Sequence, residues 1–248
     1  MFKCVIIHSL EKKGCFFMEE KSIIINEIPK SFMKKSLGMG CNAECFLTDF
    51  GVVFKKFHFL DDDYKDILKS TKYNSNTFVF PKLLVFLNNY NSFAGYFMNY
   101  VEGDTIKNIN KDVNINNYIN AIKKVEDEIK VFTNYKFYLR DMAPTNVIYT
   151  KDNQIIIIDT DFYEHNSDKK NLFAKNLIII SDTVTSPIMD LFETEFKSQK
   201  LNKYKRMLID SRMLPSSFVE EIISELIKYN YENETIGDCK NGVLKLTK

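Results

Sequence analysis

Several signals that would direct a reading of this chain are missing. Lys and Arg number 34 against 33 Asp and Glu, a formal net charge of +1. No global field therefore draws the protein to nucleic acid or an anionic membrane, and any anion site must be local. No apolar run approaches the roughly 18 residues of a membrane span. Lys3, His8, Glu11, Lys12 and Lys13 interrupt the stretch where a signal peptide would need continuous apolar residues. The five cysteines, Cys4, Cys15, Cys41, Cys45 and Cys239, are odd in number and include no C-x-x-C unit. Cys41 and Cys45 have no His or Cys nearby to complete a tetrahedral zinc site. Free thiols are thus expected ahead of a disulfide scaffold, and with them a cytoplasmic, intracellular protein in a reducing compartment. There is no internal repeat and no low-complexity linker.

What is present is the composition of a folded globular chain: 248 residues, 45% apolar and 27% charged, enough to bury a substantial core as one large domain or two lobes. The first hundred residues read as mostly β. Short strands or a hairpin are expected before residue 30, then strand, glycine turn, strand, turn and strand over 37–57. A short helix over 61–71 opens on Asp61-Asp62-Asp63, and strands follow at 77–80, 83–87 and 93–101. After Gly103 the period changes. Ile115, Tyr118, Ile119, Ile122, Val125, Ile129 and Phe132 recur at helical spacing within 112–134. Val147-Ile148-Tyr149 and Ile155 to Ile158 read as strands, and helices are expected near 170–180, 188–210 and 217–229. Ser217 and Glu220 have the spacing of a capping box for the last helix. The predicted fold class is α+β, with a β-rich N-lobe (1–100) and a helical C-lobe (101–248) forming one two-lobed domain.

The chemistry concentrates in Leu139-Arg140-Asp141-Met142-Ala143-Pro144-Thr145-Asn146 and Asp159-Thr160-Asp161. A loop carboxylate, an amide oxygen and a carboxylate ending an isoleucine strand can converge on a substrate hydroxyl and a divalent metal. Phosphoryl transfer needs those parts, because its catalysis is mostly positioning and charge neutralisation on phosphate oxygens. Upstream, Leu37-Gly38-Met39-Gly40-Cys41-Asn42-Ala43 lies between two predicted strands, where glycines let backbone N–H groups approach a phosphate. No helix follows, so it is not a dinucleotide-binding turn, and no Lys-Ser/Thr ending makes it a Walker A loop. Lys55 ends the apolar run Val52-Val53-Phe54, one hairpin beyond that turn. Phe97-Met98-Asn99-Tyr100-Val101 runs into the junction between the halves, where exposed backbone groups suit an adenine edge.

In this order and separation the blocks resemble the signature set of the protein kinase-like superfamily, nearest to small bacterial and viral kinases of eukaryotic type, over roughly residues 37–162. The resemblance implies ATP with Mg²⁺ or Mn²⁺. Gly38, Gly40 and Ala43 would cover the phosphates, Lys55 would hold the α- and β-phosphates, and Met98, Asn99 and Val101 would meet adenine. Asp141 would orient the acceptor hydroxyl, Asn146 and Asp159 would ligate metal, and Asp161 is a further candidate for a second metal, with a solvent-exposed or helix-capping role open beside it. The implied partners are a nucleotide and a protein or small-molecule hydroxyl, with no nucleic acid and no membrane span. Departures are visible. Leu139 stands where the pattern has His, Thr160-Asp161 replaces Phe-Gly, and Ala143 occupies a position that often carries Lys. Ser186-Pro187-Ile188 only echoes A-P-E. No glutamate occurs between Glu44 and Glu102, so the acidic partner expected for Lys55 falls to Asp66 on the short helix. Three readings follow from these residues: a Ser/Thr protein kinase, a small-molecule kinase of the aminoglycoside or choline kinase kind, and a pseudokinase interaction module.

Overall fold

The structure, a computed structural model, describes residues 16–17, 21–58, 64–88, 92–140, 142–161, 163–165, 170–192, 203, 206–210, 213–227 and 235–238. The fold is mixed α+β. The chain forms two compact units, one of residues 1–100 with 159–162, the other of 101–158 with 163–248. The four-residue return of 159–162 to the first unit departs from the sequence reading, which assigned everything after residue 100 to the second half.

The first unit is built on a seven-stranded sheet: β1 (Phe16–Phe17), β2 (Ser22–Ile25), β3 (Lys35–Met39), β4 (Ala43–Leu47), β5 (Val52–Phe57), β6 (Leu83–Leu87) and β7 (Ser92–Asn99), in spatial order β1-β2-β6-β7-β5-β4-β3. All pairs are antiparallel except β2 with β6. Thr48 closes the β4–β5 hairpin, its hydroxyl donating to the Val52 carbonyl (2.9 Å) and accepting from the Phe50 and Val52 N–H groups. Gly51 completes the turn at φ 74°, a left-handed conformation that favours glycine. Alternation of side chains along the strands sends Phe54 and Phe97 to one face, where both pack edge-on against Phe32 (ring centroids 5.3 and 4.7 Å apart). The opposite face carries Phe57, Phe86, Phe93 and Tyr96, and α1 (Tyr64–Ser70) covers part of it through Tyr64 and buried Ile67. The expected strand at 77–80 is buried but is not a strand of the sheet, with Phe78 alone in an isolated bridge. Its backbone bonds elsewhere: the Ser75 hydroxyl accepts the Thr77 and Phe78 N–H groups, and the Val79 carbonyl accepts the Thr160 hydroxyl.

The second unit has a three-stranded antiparallel sheet of β8 (Gly103–Thr105), β9 (Val147–Thr150) and β10 (Ile155–Ile157), in the order β10-β9-β8. Among the described residues three long helices accompany it, packed against one another. In α2 (Ile115–Asn134) the seven apolar residues named above are all buried, and Asn114 caps the N-terminus by accepting the Asn117 N–H at 3.1 Å. The helix expected near 170–180 continues as α3 (Leu172–Phe192) through Pro187, and residues 206–209, within the second expected helix, are helical too. Proline removes the N–H that would bond the Thr183 carbonyl. The Ser186 hydroxyl donates to that same carbonyl at 2.8 Å, which offsets the loss. The last helix, α4 (Pro215–Ile227), starts two residues earlier than expected and does not use the capping box. Pro215 takes the first helical position, where its missing N–H costs nothing. Glu126 of α2 accepts the Ser216 N–H (2.7 Å) and hydroxyl (2.9 Å), while Glu220 pairs with Lys123 at 2.8 Å. Among the described residues, Cys41 and Cys45 are free thiols, and no helix is long and apolar enough to cross a membrane.

Candidate functional site

The site in the first unit starts from strand register. Cys45, Lys55, Tyr96 and Leu84 are successive direct partners across β4, β5, β7 and β6, and directly opposed residues share a face. Lys55 is therefore flanked by the Cys45 thiol and the Tyr96 ring. Its ammonium lies 5.5 Å from the Phe57 ring centre and 5.9 Å from that of Tyr96, within cation–π range. A lysine only 8% exposed needs anionic partners, since burying a lone charge is prohibitive. Two supply it from more than a hundred residues away. Asp159 bonds Nζ through Oδ1, and Asp161 receives it at 2.9 Å (Oδ2) and 3.1 Å (Oδ1). The Tyr96 hydroxyl donates to Asp161 Oδ1 at 2.8 Å.

Backbone geometry brings the two aspartates to the same place. Asp159 follows β10 with φ at 65°, a left-handed conformation that aspartate tolerates but that stores strain of about 1–3 kcal/mol. The Thr160 hydroxyl bonds the Val79 carbonyl at 2.7 Å and so pins the segment between its two carboxylates.

Electrostatics separate the pair. For Asp159, burial pushes upward, but the Lys55 ammonium and its hydrogen bond outweigh it and hold the carboxyl below the usual range. For Asp161, burial together with the Asp159 charge outweighs Lys55 and raises it. Burial pulls Lys55 down, and Asp161 and Asp159 more than restore it, so the ammonium stays charged. Burial, Asp161 and Asp159 all push Tyr96 well up, which keeps its phenol a donor. The Cys45 thiol is pushed up to about 11, chiefly by burial, and stays protonated.

Gly38, Gly40 and Ala43 form the β3–β4 hairpin as its bulge, turn and exit. The register shifts between Ser36 and Gly38, and the Gly40 N–H donates to the Ala43 carbonyl at 2.8 Å. Neither glycine has positive φ. A Cβ at Gly38 would meet nothing within 4 Å, and one at Gly40 only the Ala43 carbonyl at 3.6 Å. Hairpin packing therefore does not itself demand glycine at either position. Gly95, opposite Lys56 on β7, is the contrasting case. It has φ at 153°, and a Cβ there would lie 2.0 Å from the Lys55 carbonyl oxygen. Met98 is buried on β7, Asn99 ends that strand exposed, and Val101 begins the second unit.

In the second unit, Asp141 lies outside the described residues, but both flanks of its loop are anchored. Leu139 is fully buried and its N–H donates to Asn176 Oδ1 (3.0 Å), while Asn176 Nδ2 donates to the Phe137 carbonyl (2.8 Å). On the other flank, the Met142 carbonyl accepts the Thr183 hydroxyl. Asn146 ends a 3-10 turn over Pro144–Asn146, and its carbonyl accepts the Ile158 N–H at 2.8 Å.

Two expectations are corrected. Asp66 is not the partner of Lys55. It lies on the exposed side of α1 and pairs with Lys69 at 2.6 Å, because the apolar stripe through Tyr64 and Ile67 turns the neighbouring position outward. Asp161 does not fit a metal ligand, nor a solvent-exposed or capping residue. Its side chain is fully enclosed, and both oxygens are committed to Lys55 and Tyr96. Asp159, at 35% side-chain exposure, is the carboxylate of the pair that solvent or a ligand reaches. Among the described residues no group of three or more His, Cys, Asp or Glu side chains is placed to hold a metal by itself. Magnesium does not require one where one or two carboxylates act with phosphate oxygens and water. Sequence reading missed Tyr96, Asn176 and Thr160. Only the pairing register marks Tyr96; Thr160 lies inside the quoted Asp159-Thr160-Asp161 motif without its anchoring role being read, and nothing local marks Asn176. No protein-family model matches the chain, and no curated protein does.

Proposed function

We propose that the chain is a phosphotransferase that moves the γ-phosphoryl group of ATP, with Mg²⁺ or Mn²⁺, to a hydroxyl, with Ser or Thr of a protein as the favoured acceptor, on a protein kinase-like fold. One observation carries the reading. Lys55, one hairpin beyond the glycine turn, is held by Asp159 and Asp161, so two blocks of the sequence pattern that are far apart along the chain meet at one ammonium. A charged, buried lysine beside a partly exposed carboxylate is an arrangement suited to nucleotide phosphates and their metal.

In this reading the hairpin of Gly38, Gly40 and Ala43 covers the phosphates, and the backbone around Met98, Asn99 and Val101 receives adenine. Lys55 neutralises charge on the α- and β-phosphates. Asp159 and Asn146 would hold the metal, which would supply neutralisation of phosphate charge. Asp141 orients the acceptor hydroxyl and receives its proton. Arg140 before Asp141, where small-molecule kinases of the aminoglycoside or choline kinase kind have a pattern resembling His-Gly-Asp, favours a protein acceptor.

Incubation with labelled ATP, alone and with generic protein acceptors, tests the reading. Label on protein supports it, whereas ATP consumption without labelled protein moves the acceptor to a small molecule. Asp159→Ala should abolish transfer. Asp141→Asn should lower turnover by orders of magnitude while sparing nucleotide binding. No thermal stabilisation by ATP with either metal would overturn the enzyme reading and leave a pseudokinase module.

A further inference from the structure

Resting on the phosphotransferase reading, we infer that Tyr96 is a positioning residue. By holding the Asp161 carboxylate on Lys55, it does the work expected of an acidic helix residue, while Asp66 of α1 pairs with Lys69 instead.

The two carboxylates on Lys55 differ in their freedom. Asp161 is 2% exposed and both its oxygens are occupied, Oδ2 by Nζ and Oδ1 by Nζ and the Tyr96 hydroxyl together. Asp159 is bound through Oδ1 and is the more exposed of the two. A carboxylate that turns toward a metal and phosphates cannot at the same time fix the lysine. An enclosed carboxylate can, provided it does not itself rotate. Tyr96 supplies that restraint. It is 1% exposed, it is the direct cross-strand partner of Lys55, and its ring packs against Phe57 at 5.9 Å, so the hydroxyl has one place to point. The Thr160–Val79 hydrogen bond fixes the same segment from the residue between the aspartates. Asp66, the only carboxylate that α1 offers among the described residues, is paired with Lys69. Among the described residues the carboxylates bonded to Lys55 come from the 159–161 segment, so Asp161 can keep the lysine oriented while Asp159 would serve the metal.

Steady-state kinetics and lysine NMR on the full chain test this. Tyr96→Phe keeps the ring and removes only the hydroxyl. Its kcat/KM for ATP should fall about tenfold, mostly in kcat, with Tm moved by no more than about 2 °C. Asp161→Asn should cost about a hundredfold, and the double variant should be no worse than Asp161→Asn alone, as expected for residues that act as a unit. In ¹⁵N-lysine spectra the Lys55 ammonium, identified by its loss in Lys55→Arg, should be protected from exchange in the wild type and lose that protection in Tyr96→Phe. A Tyr96→Phe enzyme within about twofold of wild-type kcat/KM, or additive losses in the double variant, would overturn the inference. If the wild type neither binds nor turns over ATP, the phosphotransferase reading fails separately. The ammonium signal then decides alone, and protection unchanged by Tyr96→Phe overturns the role of Tyr96.

Discussion

Asp161 in the first unit and Glu126 in the second are both almost completely buried, at 2% and 3% exposure, yet they are compensated in different ways. Asp161 faces a cation and a phenol, Lys55 and Tyr96, with a second carboxylate beside it. Glu126 faces the N-terminus of α4, where the Ser216 N–H and hydroxyl satisfy its two oxygens. The acid group is raised in both. At Asp161 burial and Asp159 outweigh the pull of Lys55, and at Glu126 burial outweighs the two Ser216 hydrogen bonds. A carboxylate that ties one helix to the start of another needs only neutral donors and the positive end of the helix dipole. A carboxylate placed on a buried lysine, with another acid in contact, is a costly arrangement for stability alone. That cost makes the first cluster the place to look for chemistry and the second a structural tie.

The largest effect should come from breaking the ionic cluster. Lys55→Met leaves Asp161 buried beside Asp159 with no cation, and should destabilise the fold by about 3–5 kcal/mol as well as reduce ATP turnover to background. Urea denaturation and a turnover assay read the two effects separately, and a variant as stable as the wild type would contradict this account of the cluster. Glu126→Ala strands two Ser216 donors and should cost about 1–3 kcal/mol. Turnover per folded molecule should not change, which is the sharpest contrast with Lys55→Met.

Glu126 also carries a pH signature. Because its folded pKa lies above the unfolded value, its contribution to stability is fully present below the unfolded value and is lost as pH rises through the folded one. Glu126→Gln removes that titration, so urea midpoints measured from about pH 3 to 7 should decline less steeply with rising pH in the variant. The smallest effect belongs to Asp66→Asn on the surface of α1, within about 0.5 kcal/mol and without change in turnover. A large loss of activity there would return the partner role to the helix.

Much of the fold was legible because period reports burial. The apolar spacing of 115–132 is the buried face of α2, and the isoleucine run is β10. The misreadings share a cause, since each local signal was overridden by a side chain, near or far in sequence, that took up a backbone group. Pro187 should break a helix, but the Ser186 hydroxyl takes the orphaned carbonyl. Ser217 and Glu220 have capping spacing, but Glu126 caps the helix from another element. The buried stretch at 77–80 has strand composition, yet its hydrogen bonds go to Ser75 and Thr160.

The same division runs through the candidate site. Sequence alone determined which residue types could handle phosphate, metal and a hydroxyl proton, because those chemistries demand particular side chains in a particular order. It also determined that the partner of Lys55 could not be a glutamate between residues 44 and 102, since none exists there. Which carboxylate meets the lysine was decided only in three dimensions. Strand register set Tyr96 beside Lys55, and the left-handed turn at Asp159 with the Thr160 anchor delivered Asp161 to both. A buried charge is satisfied by whatever lies within about 3 Å of it, and that neighbourhood is a property of packing across a hundred residues of chain, which no local pattern encodes.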